Sequence, residues 1–218
     1  MKRVAFWYVR HGQTLFNVAG RMQGWCDSPL TAQGEEDARK AGELLHEVPF
    51  AAAYTSTSER CRDTCALVLA GRKDIPVFER KGLKEVFYGS WEGAKVSRHL
   101  EEIDRRRAHG IHWEDCGGDS DESFAKRIQS AYEEIYEERS DGDEVLIVSH
   151  GAAWLWMQRD LLRVDPDEFA RMKKEKGLPK LPNGYNGRFS CCDGTWWLES
   201  VPGLSDEDVE LLCRRSMR

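Results

Sequence analysis

The strongest constraint on the fold is a pattern used twice. Val4-Ala5-Phe6-Trp7-Tyr8-Val9 is an unbroken apolar run, rich in β-branched and aromatic residues, that passes directly into Arg10-His11-Gly12. Far downstream, Val145-Leu146-Ile147-Val148-Ser149 passes directly into His150-Gly151, and Ala152 to Leu162 then has helical composition. Apolar runs of this length read as strands covered on both faces, the situation of parallel strands held between layers of helix. In such sheets, ligands collect at the carboxyl ends of the strands. Two strands therefore deliver two histidines to one edge, and a shared phosphate-handling site at His11 and His150 is the expectation against which the rest of the chain is read.

The intervening sequence alternates strand and helix. Thr14 to Pro29 holds Gly20 and Gly24 without a sustained period and reads as a loop over the strand ends. Thr31 can cap a helix with Ala38, Ala41, Leu44, Leu45 and Val48 on one face. Phe50 to Tyr54 is the next strand, ending in Thr55-Ser56-Thr57-Ser58, a cluster of candidate N-caps for a helix carrying Cys61, Cys65, Ala66 and Leu69. Arg60 lies in that helix's first turn, where the helix dipole disfavours a cation, so its presence suggests an anion nearby. Ile75 to Phe78 reads as a short strand, and the glycines and aromatics between Leu83 and Gly93 as a pocket wall. A charged stretch from Lys95 to about Gly118, with Arg105-Arg106-Arg107 inside a helix, reads as an insertion. A long amphipathic helix through Phe124, Ile128, Ala131, Tyr132 and Ile135 leads into the second strand–His–Gly. Pro166 starts a further helix, Gly177 to Gly184 is a proline-bearing loop, and Arg188 to Cys192 and Thr195 to Glu199 flank the hairpin turn Asp193-Gly194. A short helix over Val209 to Arg214 closes the pattern, capped from Ser205. The fold class expected is α/β: a three-layer α/β/α sandwich with a mostly parallel central sheet and a C-terminal hairpin, residues 1–218 forming one domain with a cap insertion at about 88–123.

Composition narrows the partners. The 218 residues carry a formal net charge of −6, which argues against the clustered basic face of a nucleic-acid or anionic-membrane binder. No stretch approaches a membrane span. The 7 cysteines include no CxxC pair and read as reduced, buried filler in a cytoplasmic protein. The partner expected is thus a small molecule, with neither nucleic acid nor membrane, and a homodimer is left open.

The residue types suit phosphoryl transfer. Neutral imidazole can attack phosphorus and hold the phosphoryl group covalently, splitting one difficult transfer into two displacements. Charge spread over the equatorial oxygens calls for fixed cations and donors around them, which Arg10, Arg60 and His150 could supply. The leaving alkoxide needs a proton, and Glu85, in an apolar and aromatic neighbourhood, is the candidate donor.

Taken together these residues resemble the histidine phosphatase superfamily, which includes the cofactor-dependent phosphoglycerate mutases. Its Arg-His-Gly-x-Thr stands here as Arg10 to Thr14, followed by Asn17, Arg21, Gly24 and Pro29-Leu30-Thr31 with Gly34. Its Ser-Ser-x-x-x-Arg is similar to Thr55 to Arg60, its Leu-x-Glu segment to Leu83 through Gly93, and its second His-Gly is His150-Gly151. The resemblance implies that His11 is phosphorylated, that Arg10, Arg60 and His150 bind phosphate, and that Glu85 is the proton donor. It further implies that Asn17 and Gln23 line the entrance, with Gly24 and Gly151 at the substrate, and that neither metal nor cofactor is needed. The mutases resemble one another in placing Asn after the second His-Gly, where this chain has Ala152, and Gly89-Ser90-Trp91-Glu92-Gly93 is similar to the phosphatase branch. Hydrolysis of a small phosphate ester is therefore expected over mutase activity or a non-catalytic binding module.

Other clusters invite rival readings. Glu92 is a competing acid, better placed as a structural partner of backbone or arginine. His109, His112, Glu114, Asp115 and Cys116 imitate a zinc site but lack a CxxC or HExxH frame, so a cap loop is the preferred reading. Arg105-Arg106-Arg107 reads as a solvated helix face or as a hold on a second anionic group of the substrate. Trp91, Trp113, Trp154 and Trp156 read as core and pocket wall.

Overall fold

The first apolar run forms β1 (Arg3–Arg10), and its alternation decides how the layers assemble. Val4, Phe6 and Tyr8 point into one apolar cluster while Val9 and the part-buried Trp7 point into another. The computed structural model describes residues 1–109, 112–179 and 181–215. Along the chain come a short helix α1 (Leu15–Val18), α2 (Ala32–Leu44), β2 (Phe50–Ser56), α3 (Glu59–Val68), β3 (Val77–Arg80), α4 (Leu100–His109), α5 (Asp121–Glu138) and β4 (Glu144–Ser149). Then follow α6 (Gly151–Trp156), a π-helical turn over Met157–Leu161, α7 (Pro166–Glu175), β5 (Gly184–Cys192), β6 (Thr195–Ser200) and α8 (Asp206–Arg215).

The six-stranded sheet has the order β3-β2-β4-β1-β5-β6. β3, β2, β4 and β1 are mutually parallel, and the β5–β6 hairpin adds antiparallel at the β1 side. On one face, α5 contributes Ile128 and Tyr132, α6 Trp154, α7 Phe169 and α8 Leu212 to a cluster with Phe6 and Ile147. On the other, Ala38 and Ala41 of α2 meet Cys61 and Cys65 of α3 over Leu146 and Val148. This is the expected three-layer sandwich with a mostly parallel sheet. Each large side chain fully buried between layers, such as Ile128 or Leu146, contributes about 1.5–3 kcal/mol. Cys61, Cys65 and Cys191 are free and buried among them.

Several local expectations are corrected. β3 runs over Val77–Arg80, two residues later than read, because Pro76 cannot donate to a ladder and pairing begins beyond it. β2 continues through Ser56, so Thr55 and Ser56 belong to the strand, and Ser58 occupies the N-cap position without a side-chain capping bond. The loop after β1 contains α1, closed by a reciprocal bond pair between Thr14 and Asn17. The helix after His150 is α-helical only to Trp156 before its π turn. Asp193 and Gly194 both have positive φ, 47° and 82°, as a two-residue hairpin turn of this twist requires. The helix α8 packs back on the domain, with Val209 and Leu212 buried.

Candidate active site

Parallel pairing sets the site. Arg10 stands opposite Ser149, and the His11 N–H continues the ladder to the Ser149 carbonyl at 3.0 Å. His11 and His150 therefore emerge side by side from neighbouring strands, both buried, their rings edge-to-face with centroids 5.4 Å apart. The Tyr8 hydroxyl clips the second histidine in place: it donates to the His150 carbonyl (2.7 Å) and accepts from the His150 N–H (3.1 Å).

The hydrogen bonds assign the imidazole tautomers. His11 Nδ1 lies 2.9 Å from the Gly12 carbonyl, which can only accept, so Nδ1 carries the proton and Nε2 keeps its lone pair. Burial first, and then the positive charges of Arg60 and Arg10, hold the His11 pKa well below the ordinary histidine value, so the ring is neutral. His150 takes the opposite tautomer. Its Nδ1 accepts from Arg60 Nη2 at 2.9 Å, which leaves Nε2–H to donate to Ser56 Oγ at 2.8 Å. Burial, and then Arg60 and His11, keep its pKa well down also.

Arg60 is wholly buried in the first turn of α3. It donates to Asp27 Oδ1 (2.9 Å) and to the carbonyls of Cys26 (3.0 Å) and Gly24 (2.8 Å) as well as to His150. One guanidinium thus ties the loop after α1 to the second histidine. Arg10 donates to the Leu181 carbonyl at 2.8 Å and is nearly buried, its pKa lowered chiefly by desolvation and supported by the Glu85 charge.

Glu85 faces the histidines from the loop after β3. Its Oε2 accepts from the Ala152 N–H (2.9 Å) and its Oε1 from the N–H groups of Val86 (3.0 Å) and Ala153 (3.2 Å). Burial raises the Glu85 pKa above the usual carboxylate range against the pull of these N–H groups. Its backbone is pinned by Arg127 of α5, which donates to the carbonyls of Lys84 (2.7 Å) and Glu85 (3.0 Å) and pairs with Asp119. Glu92 behaves differently. It accepts backbone N–H groups from Gly24, Trp25, Cys26 and Tyr88, and although burial opposes ionisation, those bonds and the one from the Cys26 thiol hold its pKa below normal. It is a structural carboxylate.

A cleft of about 580 Å³ opens over these groups. Arg10, His11, Glu85 and Gly151 line it, with Asn17 and Gln23 on the side of the loop after β1. Arg60, His150 and Gly24 do not reach its wall. They lie behind it, Gly24 with its N–H on Glu92 and its carbonyl on Arg60. The segment expected as an insertion supplies the opposite wall through Tyr88, Val96, Ile103, Arg106, His112 and Trp113. Gly110 and Ile111 of the zinc-like stretch lie outside the described residues; Asp115 pairs with Arg106 instead. Arg105 is exposed against Glu102, while Arg106 is buried, so the arginine run is not one solvated face.

This arrangement matches a known family. The model of the histidine phosphatase superfamily (branch 1) matches residues 6–177. The chain belongs to this superfamily. Like other histidine phosphatase superfamily proteins it is similar to enzymes of both kinds named in the family. It is 35% identical over 190 residues, 84% of this chain and 87% of the relative, to 2,3-bisphosphoglycerate-dependent phosphoglycerate mutase 2 of Gloeobacter violaceus. It is 32% identical over 176 residues, 78% of this chain and 86% of the relative, to the adenosylcobalamin/alpha-ribazole phosphatase of Salmonella typhimurium. The crystal structure of a phosphoglycerate mutase from Bacillus anthracis superposes with a TM-score of 0.75 at 27% identity, covering 96% of each chain.

Some participants in this superfamily site escaped sequence reading. Asn183 Nδ2 donates to the His11 carbonyl at 2.6 Å, and the Leu181 carbonyl receives Arg10. Both sit in the proline-bearing loop, and the signal for them was only that β5, next to β1, begins at the same edge. Asp27, which balances Arg60, carried no local pattern at all.

Proposed function

We propose that the chain is a phosphomonoesterase acting on a small phosphate ester through a phosphohistidine. The observation that carries the reading is the His11 Nδ1–H bond to the Gly12 carbonyl, which leaves a neutral Nε2 lone pair in a cleft facing a carboxyl of raised pKa. Nε2 attacks phosphorus, the ester P–O bond breaks, and protonated Glu85 gives its proton to the departing oxygen. Water then attacks phosphorus, Glu85 takes a proton from it, and the N–P bond breaks to release inorganic phosphate. Arg10 balances phosphate charge at the cleft wall, Asn17, Gln23 and Gly151 shape its approach, and Arg60 and His150 hold His11 and the loop behind it in place. Ala152, where the mutases carry Asn, favours water as the second acceptor.

The experiment is to trap the intermediate. Protein quenched during turnover of a labelled phosphate ester carries acid-labile, base-stable phosphate on histidine, and His11→Ala loses both label and turnover. An active or equally labelled His11→Ala protein would overturn the mechanism. The similarity to a Gloeobacter violaceus mutase supports a second reading, in which the phosphoryl group passes to another hydroxyl. Supplying 3-phosphoglycerate with catalytic 2,3-bisphosphoglycerate separates the two: accumulation of 2-phosphoglycerate supports the mutase, and its absence from a protein that releases inorganic phosphate from phenyl phosphate supports hydrolysis.

A further inference from the structure

The wall of the cleft opposite His11 contains a cation that has been cancelled. Arg106 projects from α4 into this wall with its side chain 6% exposed. Its Nε donates to Glu102 Oε1 (2.9 Å), Nη1 to Asp115 Oδ1 (2.9 Å) and to the His112 carbonyl (2.5 Å), and Nη2 to Asp115 Oδ2 (2.7 Å) and Cys116 Sγ (3.5 Å). All of its N–H directions are thereby used. It also stands over the rings of Trp91 (5.5 Å) and Trp113 (5.1 Å), which lie side by side next to it. We infer that Asp115, by holding Arg106 in a two-point ion pair, makes this cleft select phosphate monoesters whose alcohol part is apolar and carries no second anionic group. The inference rests on the hydrolase reading and names its substrate class.

The charge balance supports it. Arg105 and Arg106 face Glu102 and Asp115, two cations against two carboxylates, so among the described residues of α4 these arginine charges are matched. A substrate carboxylate would have to displace Asp115 from a bidentate, charge-assisted pair, or lie desolvated without a partner, and both are costly. Of the other two arginines on the cleft, Arg10 is the one given to the phosphate in the proposed mechanism, and Arg21 is exposed and donates to the Gly93 carbonyl, where water screens it. Much of the remaining surface is hydrocarbon or aromatic: Met22, Val86, Val96, Ile103, Trp113 and Leu181. A second cavity of about 290 Å³ shares Val86 and Ala152 with the first and is walled by Phe124, Leu155, Trp156 and Phe169. The second cavity also carries Asp121, Arg159 and Asp167, so an apolar alcohol finds its contact on the hydrocarbon surface of the first. Asp115 itself does not line the cleft and acts through Arg106, so it is a positioning residue.

The test is a matched pair, phenyl phosphate and 4-carboxyphenyl phosphate, which differ by one carboxylate. For the unaltered protein, kcat/KM is expected to be at least about tenfold higher for phenyl phosphate. In Asp115→Asn the guanidinium is released toward the cleft and that ratio falls by about fivefold or more, whereas Asp115→Glu restores it; a merely structural role would lower both substrates together and leave the ratio alone. A ratio near one or below in the unaltered protein, or an unchanged ratio in a folded Asp115→Asn, overturns the inference. If the variants do not fold, the ratio of the unaltered protein decides. No phosphate release from either ester would instead overturn the hydrolase reading, and this inference with it.

Discussion

At the scale of single residues, the chemistry comes down to two pKa shifts of opposite sense. In the proposed mechanism the reactive form needs His11 neutral and Glu85 protonated. Burial, Arg60 and Arg10 lower the histidine, so it stays neutral as pH falls below its usual value near 6.5. Burial raises Glu85, so it stays protonated above its ordinary 4.5. The two shifts move toward each other, and kcat/KM should fall as pH rises through the Glu85 pKa. Glu85→Gln removes that alkaline limb and lowers kcat/KM by about 10²–10⁴ for alkyl phosphates, with a smaller loss for 4-nitrophenyl phosphate, whose leaving group needs no proton. A pH–rate series on both proteins checks this, and an alkaline limb unchanged in Glu85→Gln would exclude it as the acid. His11, His150 and Glu85 were legible in the sequence because each follows a regular strand or lies in a short dense motif. Arg106 was only half legible. Its helix was evident, but its neutralisation depends on Trp91, Trp113 and Asp115, brought together by irregular turns that no periodicity records.

At the scale of elements, the loop bearing His11 is braced by the start of α2. A Cβ at Gly34 would lie 2.1 Å from the Gln13 carbonyl oxygen, and one at Gly12 would lie 2.2 Å from that of Gly34. The two backbones touch through absent side chains. Gly34→Ala is expected to destabilise the protein by about 1–3 kcal/mol through overpacking, seen as a Tm lowered by several degrees, with turnover falling because the His11 loop is pushed. A melting curve superimposable on that of the parent would show that the contact yields freely. This close approach was invisible in the sequence, where Gly34 is one glycine in a helix otherwise called by Thr31. The π turn over Met157–Leu161 was equally hidden, since its composition is that of any helix. The hairpin, by contrast, was read correctly from Asp193-Gly194, because the turn itself demands those residue types.

At the scale of the molecule, strand order brings distant chain segments to one edge. Among the described residues no group of three His, Cys, Asp or Glu is placed to hold a metal ion, and no helix is long and apolar enough to cross a membrane. With the proposed chemistry carried by imidazole, carboxyl and guanidinium groups, phosphate release is expected to persist unchanged in excess EDTA; loss of activity restored by a divalent cation would contradict it. The sheet order has a further consequence for how the protein comes to exist. β1 is flanked by β4 and β5, which begin at Glu144 and Gly184. The strand that delivers His11 is made before either of them and acquires both neighbours only once β5 has followed. Throughout that interval an apolar strand waits with two open edges, a template for association with other nascent chains. His11 is thus translated well before the strands that enclose it.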